Sequence, residues 1–169
     1  VYEKGFQSFT TEYGLASDLI YLITEDNNGD MWFGTNKGVD RFHFNNKGLI
    51  IVTNFGKLEG FPGIETNHGA VCKDSKGNIW FGTGKGLYRI IDKGSSFDFV
   101  HYSGVINSIT SIKEDAQGNM WIGTYGDGAY VYNWKRFYRI DLNLELFKET
   151  VLDIYFDNRN NVWLATLNS

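Results

Sequence analysis

A motif of eleven residues recurs four times along the chain. It reads EDNNGDMWFGT at 25–35, KDSKGNIWFGT at 73–83, EDAQGNMWIGT at 114–124 and, in a weaker form, FDNRNNVWLAT at 156–166. The tryptophans of successive copies are separated by 48, 41 and 42 residues. A period in the forties with strand signals is typical of β-propeller blades, which are four-stranded sheets that cannot bury their faces alone. The repeat therefore predicts consecutive blades around a common axis.

The segments around each motif alternate in polarity or form short β-rich runs, which favours strands over helices. With 20 glycines, one proline and 17% aromatic residues, the composition favours all-β structure with many tight turns. We predict an all-β, partial β-propeller of about three and a half to four four-stranded antiparallel blades over residues 1–169. The blades are expected at about 19–55, 68–102, 109–140 and 151–169, with residues 1–10 as the outer strand of a preceding blade.

Each recurring residue of the motif has an expected structural role. The aspartates accept hydrogen bonds from backbone N–H groups two residues later and close the hairpin turn: Asp26, Asp74, Asp115 and Asp157. A positive φ is expected three residues after each aspartate, at Gly29, Gly77, Gly118 and Asn160. The tryptophans are expected to be wedges between blades: Trp32, Trp80, Trp121 and Trp163. Small residues keep the same strand thin beside a neighbouring tryptophan: Gly34, Gly82, Gly123 and Ala165.

A second interpretation of the first copy is a metal loop, because Asp26, Asn27, Asn28 and Asp30 all carry oxygen donors. The Asp-x-x-Gly turns, however, lack the twelve-residue loop and terminal glutamate of an EF-hand. The three histidines of the chain also lack metal-ligand spacing. In the fourth copy Asn160 replaces the glycine, and asparagine is a residue that a left-handed turn position tolerates. This substitution favours a conformational role for the motif over metal binding. No metal or cofactor is therefore expected.

Charge and hydropathy disfavour two classes of partner. The net charge of −4, with a pI near 5.3 and no cluster of lysine and arginine, disfavours nucleic acid. No apolar run approaches the ~18 residues that span a bilayer, and no leader opens the chain, so membrane contact and any export signal are expected only in flanking segments. Cys72 is the single cysteine, so an internal disulfide is excluded and the compartment stays open.

The repeat is similar to a known family. Residues 14–42, which read GLASDLIYLITEDNNGDMWFGTNKGVDRF, resemble the two-component regulator propeller repeat, as do 71–89 and 109–130. In that family such blades build propellers in the periplasmic sensor regions of bacterial hybrid histidine kinases, many of them thought to sense oligosaccharides. The resemblance implies a non-catalytic ligand-sensing or interaction module of a periplasmic two-component sensor. It implies an oligosaccharide or other small ligand as the partner.

The resemblance also implies an ectodomain of an inner-membrane sensor whose kinase lies outside this segment, since no kinase signature occurs in it. About three and a half blades leave unpaired sheet edges. We therefore expect the remaining blades of the same chain, or a second copy, to cover those edges.

The loops after the second and fourth strands of a propeller blade open on one face, where ligands commonly bind. Their contents differ between the copies while the scaffold residues recur, as expected of recognition loops on a rigid frame. The candidates from the second-strand loops, with ordinary solvated residues as the alternative, are Asn36, Lys37, Lys85, Tyr125 and Asp127. The fourth-strand exits are expected at 56–67, 103–108 and 141–150. Trp134, outside the repeat, is expected either to stack on a sugar or to pack against a neighbouring blade.

Two residues on or beside the predicted innermost strands complete the candidate set. His68 aligns with Ile20, Ile109 and Val151, which are aliphatic, and Asp153 occupies a position that is small or apolar in the other copies. Both are expected near the central channel, either as ligand contacts or as hydrogen-bonded structural groups.

No catalytic arrangement is identified in the sequence. It contains no nucleophile elbow, phosphate-binding loop or dinucleotide fingerprint. Carboxylates are numerous, however, and a pair of them on one face would be compatible with glycoside cleavage. The segment is therefore expected not to be an enzyme. The alternatives to a sensor module are a propeller-type polysaccharide lyase or hydrolase, and a protein-interaction scaffold.

Overall fold

The computed structural model describes residues 5–61, 65–140 and 149–167. Over these residues the chain forms three four-stranded antiparallel sheets and one two-stranded sheet. Strands that are neighbours in a sheet also follow one another along the chain, so hairpins connect them. The predicted fold class, an all-β partial propeller, is confirmed. No helix in the described parts of the chain is long and apolar enough to cross a bilayer.

The strands are numbered in chain order. The first blade contains β1 (Ile20–Glu25), β2 (Met31–Thr35), β3 (Gly38–Phe44) and β4 (Ile50–Phe55). The second contains β5 (Thr66–Lys73), β6 (Ile79–Thr83), β7 (Gly86–Asp92) and β8 (Phe97–Tyr102). The third contains β9 (Ile109–Glu114), β10 (Met120–Thr124), β11 (Ala129–Tyr132) and β12 (Phe137–Arg139). The fourth blade contains β13 (Thr150–Phe156) and β14 (Val162–Leu167). The first strands of successive blades pack side by side, β1 on β5, β5 on β9 and β9 on β13.

The segment before β1 differs from the expectation of an outer strand at 1–10. Residues 5–10, the described part of that range, are not in a strand, and a 3-10 turn follows at Thr11–Tyr13. Phe9 packs edge-on against Phe42 of β3, with their ring centroids 5.3 Å apart. No strand pairs with this segment among the described residues, so side-chain packing rather than a hydrogen-bonded ladder holds it to the first blade.

The aspartate of each hairpin binds the turn and the tryptophan together. In the second blade, Asp74 Oδ1 accepts from the backbone N–H groups of Lys76 and Asn78 at 3.0 and 2.8 Å. Its Oδ2 accepts from the indole Nε1 of Trp80 at 2.8 Å. Gly77 completes the turn with φ of 84°. The indole–carboxylate bond recurs in the other blades at 2.9, 2.9 and 3.1 Å, at Trp32, Trp121 and Trp163.

The tryptophans of the first three blades lie between adjacent sheets. Trp32 is 1% exposed and meets Phe97 of the second blade edge-on at 5.2 Å. Trp121 meets Phe156 of the fourth blade in the same way at 5.7 Å. Trp163 is 61% exposed because no further sheet covers it within the described residues. Burial of the indole therefore depends on the blade that follows.

Trp80 is completely buried in the most aromatic of these contacts. The ring of Trp134 in the third blade lies edge-on to it at 5.8 Å, and Trp134 Nε1 donates to the carbonyl of Gly118 at 2.6 Å. The guanidinium of Arg89 lies 5.3 Å from the Trp80 ring centroid and 5.2 Å from that of Trp134. Trp134 therefore packs against a neighbouring blade, the second of the two roles expected for it.

The glycine two residues after each tryptophan makes room for a different neighbour than predicted. A Cβ on Gly82 would lie 2.6 Å from Cβ of Ile109, the first residue of β9, and 2.7 Å from Cβ of Ala70. At Gly123 the corresponding contact is Val151 in β13, at 3.1 Å. The expectation that these glycines accommodate a tryptophan is wrong. They allow the innermost strand of the next blade to approach.

Candidate functional site

The innermost strand of the second blade contains an insertion. In the other blades one residue at or next to the start of the innermost strand lies opposite a threonine at or next to the end of the second strand: Ile20 with Thr35, Ile109 with Thr124 and Val151 with Thr166. In the second blade this residue is Thr66, opposite Thr83. The next recorded pair is Val71 with Phe81, so residues 67–70 lie opposite Gly82 alone. The strand is therefore two residues longer at this point and forms a wide bulge.

This bulge corrects the alignment of His68. The structure places Thr66, not His68, in register with Ile20, Ile109 and Val151. His68 lies on the bulge and is exposed. Two inserted residues shift the register without changing the hairpin that follows, so alignment on the motif alone misplaced it.

The bulge is anchored to the third blade by one side chain. The amide Nδ2 of Asn67 donates to Ser108 Oγ at 2.9 Å and to the carbonyl of Ile109 at 2.6 Å. Gly69 has φ of 68°, a left-handed conformation that glycine adopts at little cost. Because both amide hydrogens of Asn67 are used, its Oδ1 is left to accept a hydrogen bond.

A cavity of about 320 Å³ lies beside the bulge, where the β6–β7 turn meets the beginning of β5. Its lining consists of Glu65, Asn67, Thr83, Gly84 and Lys85. Thr83 is already engaged, because its hydroxyl donates to the carbonyl of Gly86 and accepts from the backbone N–H of Lys85. The side chains that remain for a ligand are therefore a carboxylate, an amide oxygen and an ammonium group.

The first blade supplies a tyrosine to this cluster. The hydrogen bond from Tyr21 to the Glu65 carboxylate, with desolvation and the negative charge of Glu65, raises the pKa of the Tyr21 phenol. The His68 ring lies edge-on to the Tyr21 ring at 4.5 Å. The cluster thus joins the first blade through Tyr21 and the third through Ser108. Its residues belong to three consecutive blades.

Lys85 and Glu65 do not neutralise each other. Neither residue takes part in an ion pair among the described residues. The cavity therefore presents a donor at Lys85 and acceptors at Glu65 and Asn67 to the same volume. A hydroxyl group both donates and accepts, so a molecule with adjacent hydroxyls matches this set better than a simple cation or anion.

The other residues predicted for the loop face are spread over the remaining blades. Asn36 and Lys37 form the β2–β3 turn of the first blade, where the Lys37 side chain is exposed and its backbone N–H donates to Thr35 Oγ1 at 2.9 Å. Tyr125 is 65% exposed in the β10–β11 turn. Lys85 is thus the one predicted loop residue that lines the cavity beside the bulge.

Two of the predicted residues are bound to other side chains of the protein. Asp127 accepts from the hydroxyl of Tyr130 at 2.6 Å and pairs with Arg139 at 2.7 Å. Burial, together with the Asp127 hydrogen bond, raises the pKa of Tyr130 to about 12. Asp153 accepts from Ser111 Oγ at 2.9 Å. Both carboxylates therefore have structural partners, the second of the two roles expected for Asp153.

Two of the loops expected on this face are only partly described. Residues 62–64 of the exit at 56–67, and residues 141–148 of the exit at 141–150, lie outside the described residues. Within the described ranges, no group of three or more histidine, cysteine, aspartate or glutamate side chains is arranged to hold a metal ion.

Sequence reasoning missed Tyr21, Glu65 and Asn67. A signal for extra residues was present, because the first two tryptophans lie 48 residues apart and the later ones only 41 and 42. Extra residues in an otherwise regular repeat mark a bulge or a longer loop.

Comparison with known proteins identifies three repeats in the chain. Residues 14–37, 61–85 and 103–126 match the sequence family described as "Two component regulator propeller". No curated protein sequence matches the chain.

Several solved structures share the fold. The extracellular domain of a putative hybrid two component system from B. thetaiotaomicron is 26% identical with a TM-score of 0.70, over 90% of this chain and 19% of that one. The extracellular domain of a second putative system from the same organism is 23% identical with a TM-score of 0.72, over 95% of this chain and 21% of that one. A streptogramin B lyase is 17% identical with a TM-score of 0.62, over 90% of this chain and 49% of that one. The chain thus spans about a fifth of the length of the two sensor domains.

Proposed function

Since the chain carries repeats of the two-component regulator propeller family, we propose that it is a non-catalytic, ligand-sensing part of a periplasmic two-component sensor, and that its ligand is an oligosaccharide. The compartment in this proposal follows similar structures that are extracellular domains of putative hybrid two component systems. The sensor would be anchored in the inner membrane by segments outside this one.

The cavity beside the β5 bulge is the observation that carries the proposal. It is close to the lower limit of ligand pockets in general, about 300 Å³, and it opens where the loops of the second blade meet. Sugar hydroxyls would donate to Glu65 and to Asn67 Oδ1 while accepting from Lys85. All three groups are free to do so among the described residues, apart from the hydrogen bond between Glu65 and Tyr21.

The position of the cavity offers a route for the signal. A ligand on Asn67 would act on Ser108 of the third blade, and one on Glu65 would act on Tyr21 of the first. Binding that favours one arrangement of these inter-blade contacts shifts the population of blade packings. Small shifts in packed sheets are transmitted as rigid-body movements to the rest of a sensor.

Calorimetry of the intact ectodomain against a panel of oligosaccharides of different sugar composition and linkage tests the proposal. The variant Lys85→Ala removes one charge-assisted hydrogen bond, worth about 1.5–3 kcal/mol, so binding should weaken about 10-fold or more. Lys37→Ala is the matched control, because Lys37 occupies the same turn position in the first blade without lining this cavity. Equal affinities for the wild type and Lys85→Ala would contradict the assignment of the site.

The runner-up function is a lyase or hydrolase acting on a polysaccharide. It is favoured by one observation, the Tyr21 phenol bonded to a carboxylate beside an exposed imidazole, which is a possible acid–base arrangement. Turnover of a polysaccharide that disappears in Tyr21→Phe would support catalysis over sensing. A protein-interaction scaffold would instead retain a protein partner in both Tyr21→Phe and Lys85→Ala.

A further inference from the structure

The β10–β11 turn of the third blade is one residue longer than its counterparts. Three residues lie between Thr124 and Gly128, whose carbonyl accepts from the Thr124 hydroxyl, whereas two lie between Thr35 and Gly38 and between Thr83 and Gly86. Tyr125 is the first residue of this turn, where the other copies carry Asn36 and Gly84.

The backbone of this turn is held by several hydrogen bonds. Tyr125 N–H donates to the carbonyl of Ser108 at 2.9 Å, and Gly126 N–H donates to Thr150 Oγ1 at 3.1 Å. Thr124 N–H donates to the carbonyl of Gly128 at 3.0 Å. The position of the Tyr125 backbone is therefore fixed before any ligand arrives, which lowers the entropy that binding must remove.

The side chain of Tyr125 has none of this support. It is 65% exposed, and among the described residues no aromatic ring packs against it and no hydrogen bond to its hydroxyl is formed. The structure thus holds an aromatic ring in solvent on a fixed backbone. An exposed ring of this kind gains free energy when a flat apolar surface covers it.

Ser108 links the backbone of Tyr125 to the cavity. Its carbonyl accepts from Tyr125 N–H, and its hydroxyl accepts from Asn67, which lines the cavity. Ile106 lies two residues before Ser108, in the segment between β8 and β9. It is 72% exposed and adds apolar surface there. One residue, Ser108, is thus hydrogen-bonded both to the Tyr125 backbone and to a residue that lines the cavity.

We propose that Tyr125 forms a second subsite beside the Glu65–Asn67–Lys85 cavity, and that the ligand is a chain of at least two sugar units. One unit places its hydroxyls in the cavity, and the next covers the Tyr125 ring with its apolar face. This inference rests on the proposed function and assigns to the site a preference for chain length.

The test is a titration of the intact ectodomain with size-defined oligosaccharides of one to six units from each series of the panel. For the wild type, affinity should rise between one unit and two or three units. Tyr125→Ala should bind the longer chains about 10-fold more weakly and leave the single sugar unchanged. Tyr125→Phe, which keeps the ring, should restore wild-type affinity for the longer chains. Tyr138→Ala, which removes an exposed tyrosine of the outer strand β12, is the control and should change nothing.

The outcomes separate this inference from the proposal on which it rests. If no saccharide of any length binds the wild type, both fail. If saccharides bind and Lys85→Ala weakens them, but Tyr125→Ala matches the wild type at every length, only the second subsite is refuted. An equal loss at every length in Tyr125→Ala also refutes it, because a structural role would produce that result.

Discussion

Substitution of Gly82 by alanine tests the close approach of neighbouring blades. The added Cβ would lie 2.6–2.7 Å from three carbon atoms of Ile109 and Ala70, about 1 Å inside ordinary van der Waals contact. Two of these atoms are Cβ carbons, which are attached directly to the backbone. The clash therefore cannot be relieved by a change of rotamer, and β9 must move away from β6.

Overpacking of this kind typically costs 1–3 kcal/mol, and the fixed positions of the clashing atoms place Gly82→Ala near the upper end, at about 3 kcal/mol. The matched control is Gly84→Ala, two residues further along. A Cβ there meets nothing within 4 Å, and the backbone is not left-handed.

Urea unfolding of the intact ectodomain, followed by tryptophan fluorescence, measures both variants. Gly84→Ala should be neutral or more stable by about 0.4–1 kcal/mol, because alanine restricts the unfolded chain. A Gly82→Ala variant within about 0.5 kcal/mol of the wild type would refute the argument, since the innermost strands would then be further apart than described.

Two further predictions concern the hairpins and the inter-blade contacts. Hydrogen bonds from Asn161 and Trp163 lower the pKa of Asp157 from 3.8 to about 2, so this carboxylate contributes stability above pH 3.8 that is lost as the pH falls towards 2. Asp157→Asn should therefore make acid unfolding less steep in that range, whereas Asp98→Asn, at an exposed ion pair, should leave its slope unchanged. Arg89→Lys should cost about 0.5–2 kcal/mol in urea unfolding, because the planar guanidinium that faces Trp80 and Trp134 is lost. The control Arg136→Lys faces only the exposed ring of Tyr138, so a loss there as large as in Arg89→Lys would contradict the account.

The sequence is sufficient for those parts of the fold that depend on local geometry. The hairpin turns, with aspartate as acceptor and a left-handed residue three positions later, occur at Gly77 and also at Asn160, where glycine is absent. The strands are also predictable, because the turns at both ends of each strand recur at the same positions of the repeat. These features need only neighbours within a few residues along the chain.

Features that depend on contacts between blades were harder to predict. The sequence does not reveal whether Gly82 faces an indole or a strand, because both lie more than ten residues away. Nor does it show that Asp127 is bound by Arg139 rather than free in the loop. The register error at His68 has the same origin, because the bulge is defined by pairing with β6 rather than by residue type.

Most of the candidate site consists of departures from the repeat; the exception is Lys85, whose counterpart in the first copy is Lys37. Where the four copies agree, each residue is explained by a turn, an indole contact or the approach of two strands, and nothing remains for a ligand. The other copies form their blades without the two-residue insertion within residues 67–70 or the longer turn at Tyr125, and the bulge weakens the β5–β6 ladder. Both departures lie near the threonines that end β6 and β10, and Ser108 connects them. Two insertions that the repeat does not require are thus hydrogen-bonded to the same residue. Ligand recognition, rather than folding, accounts for their presence.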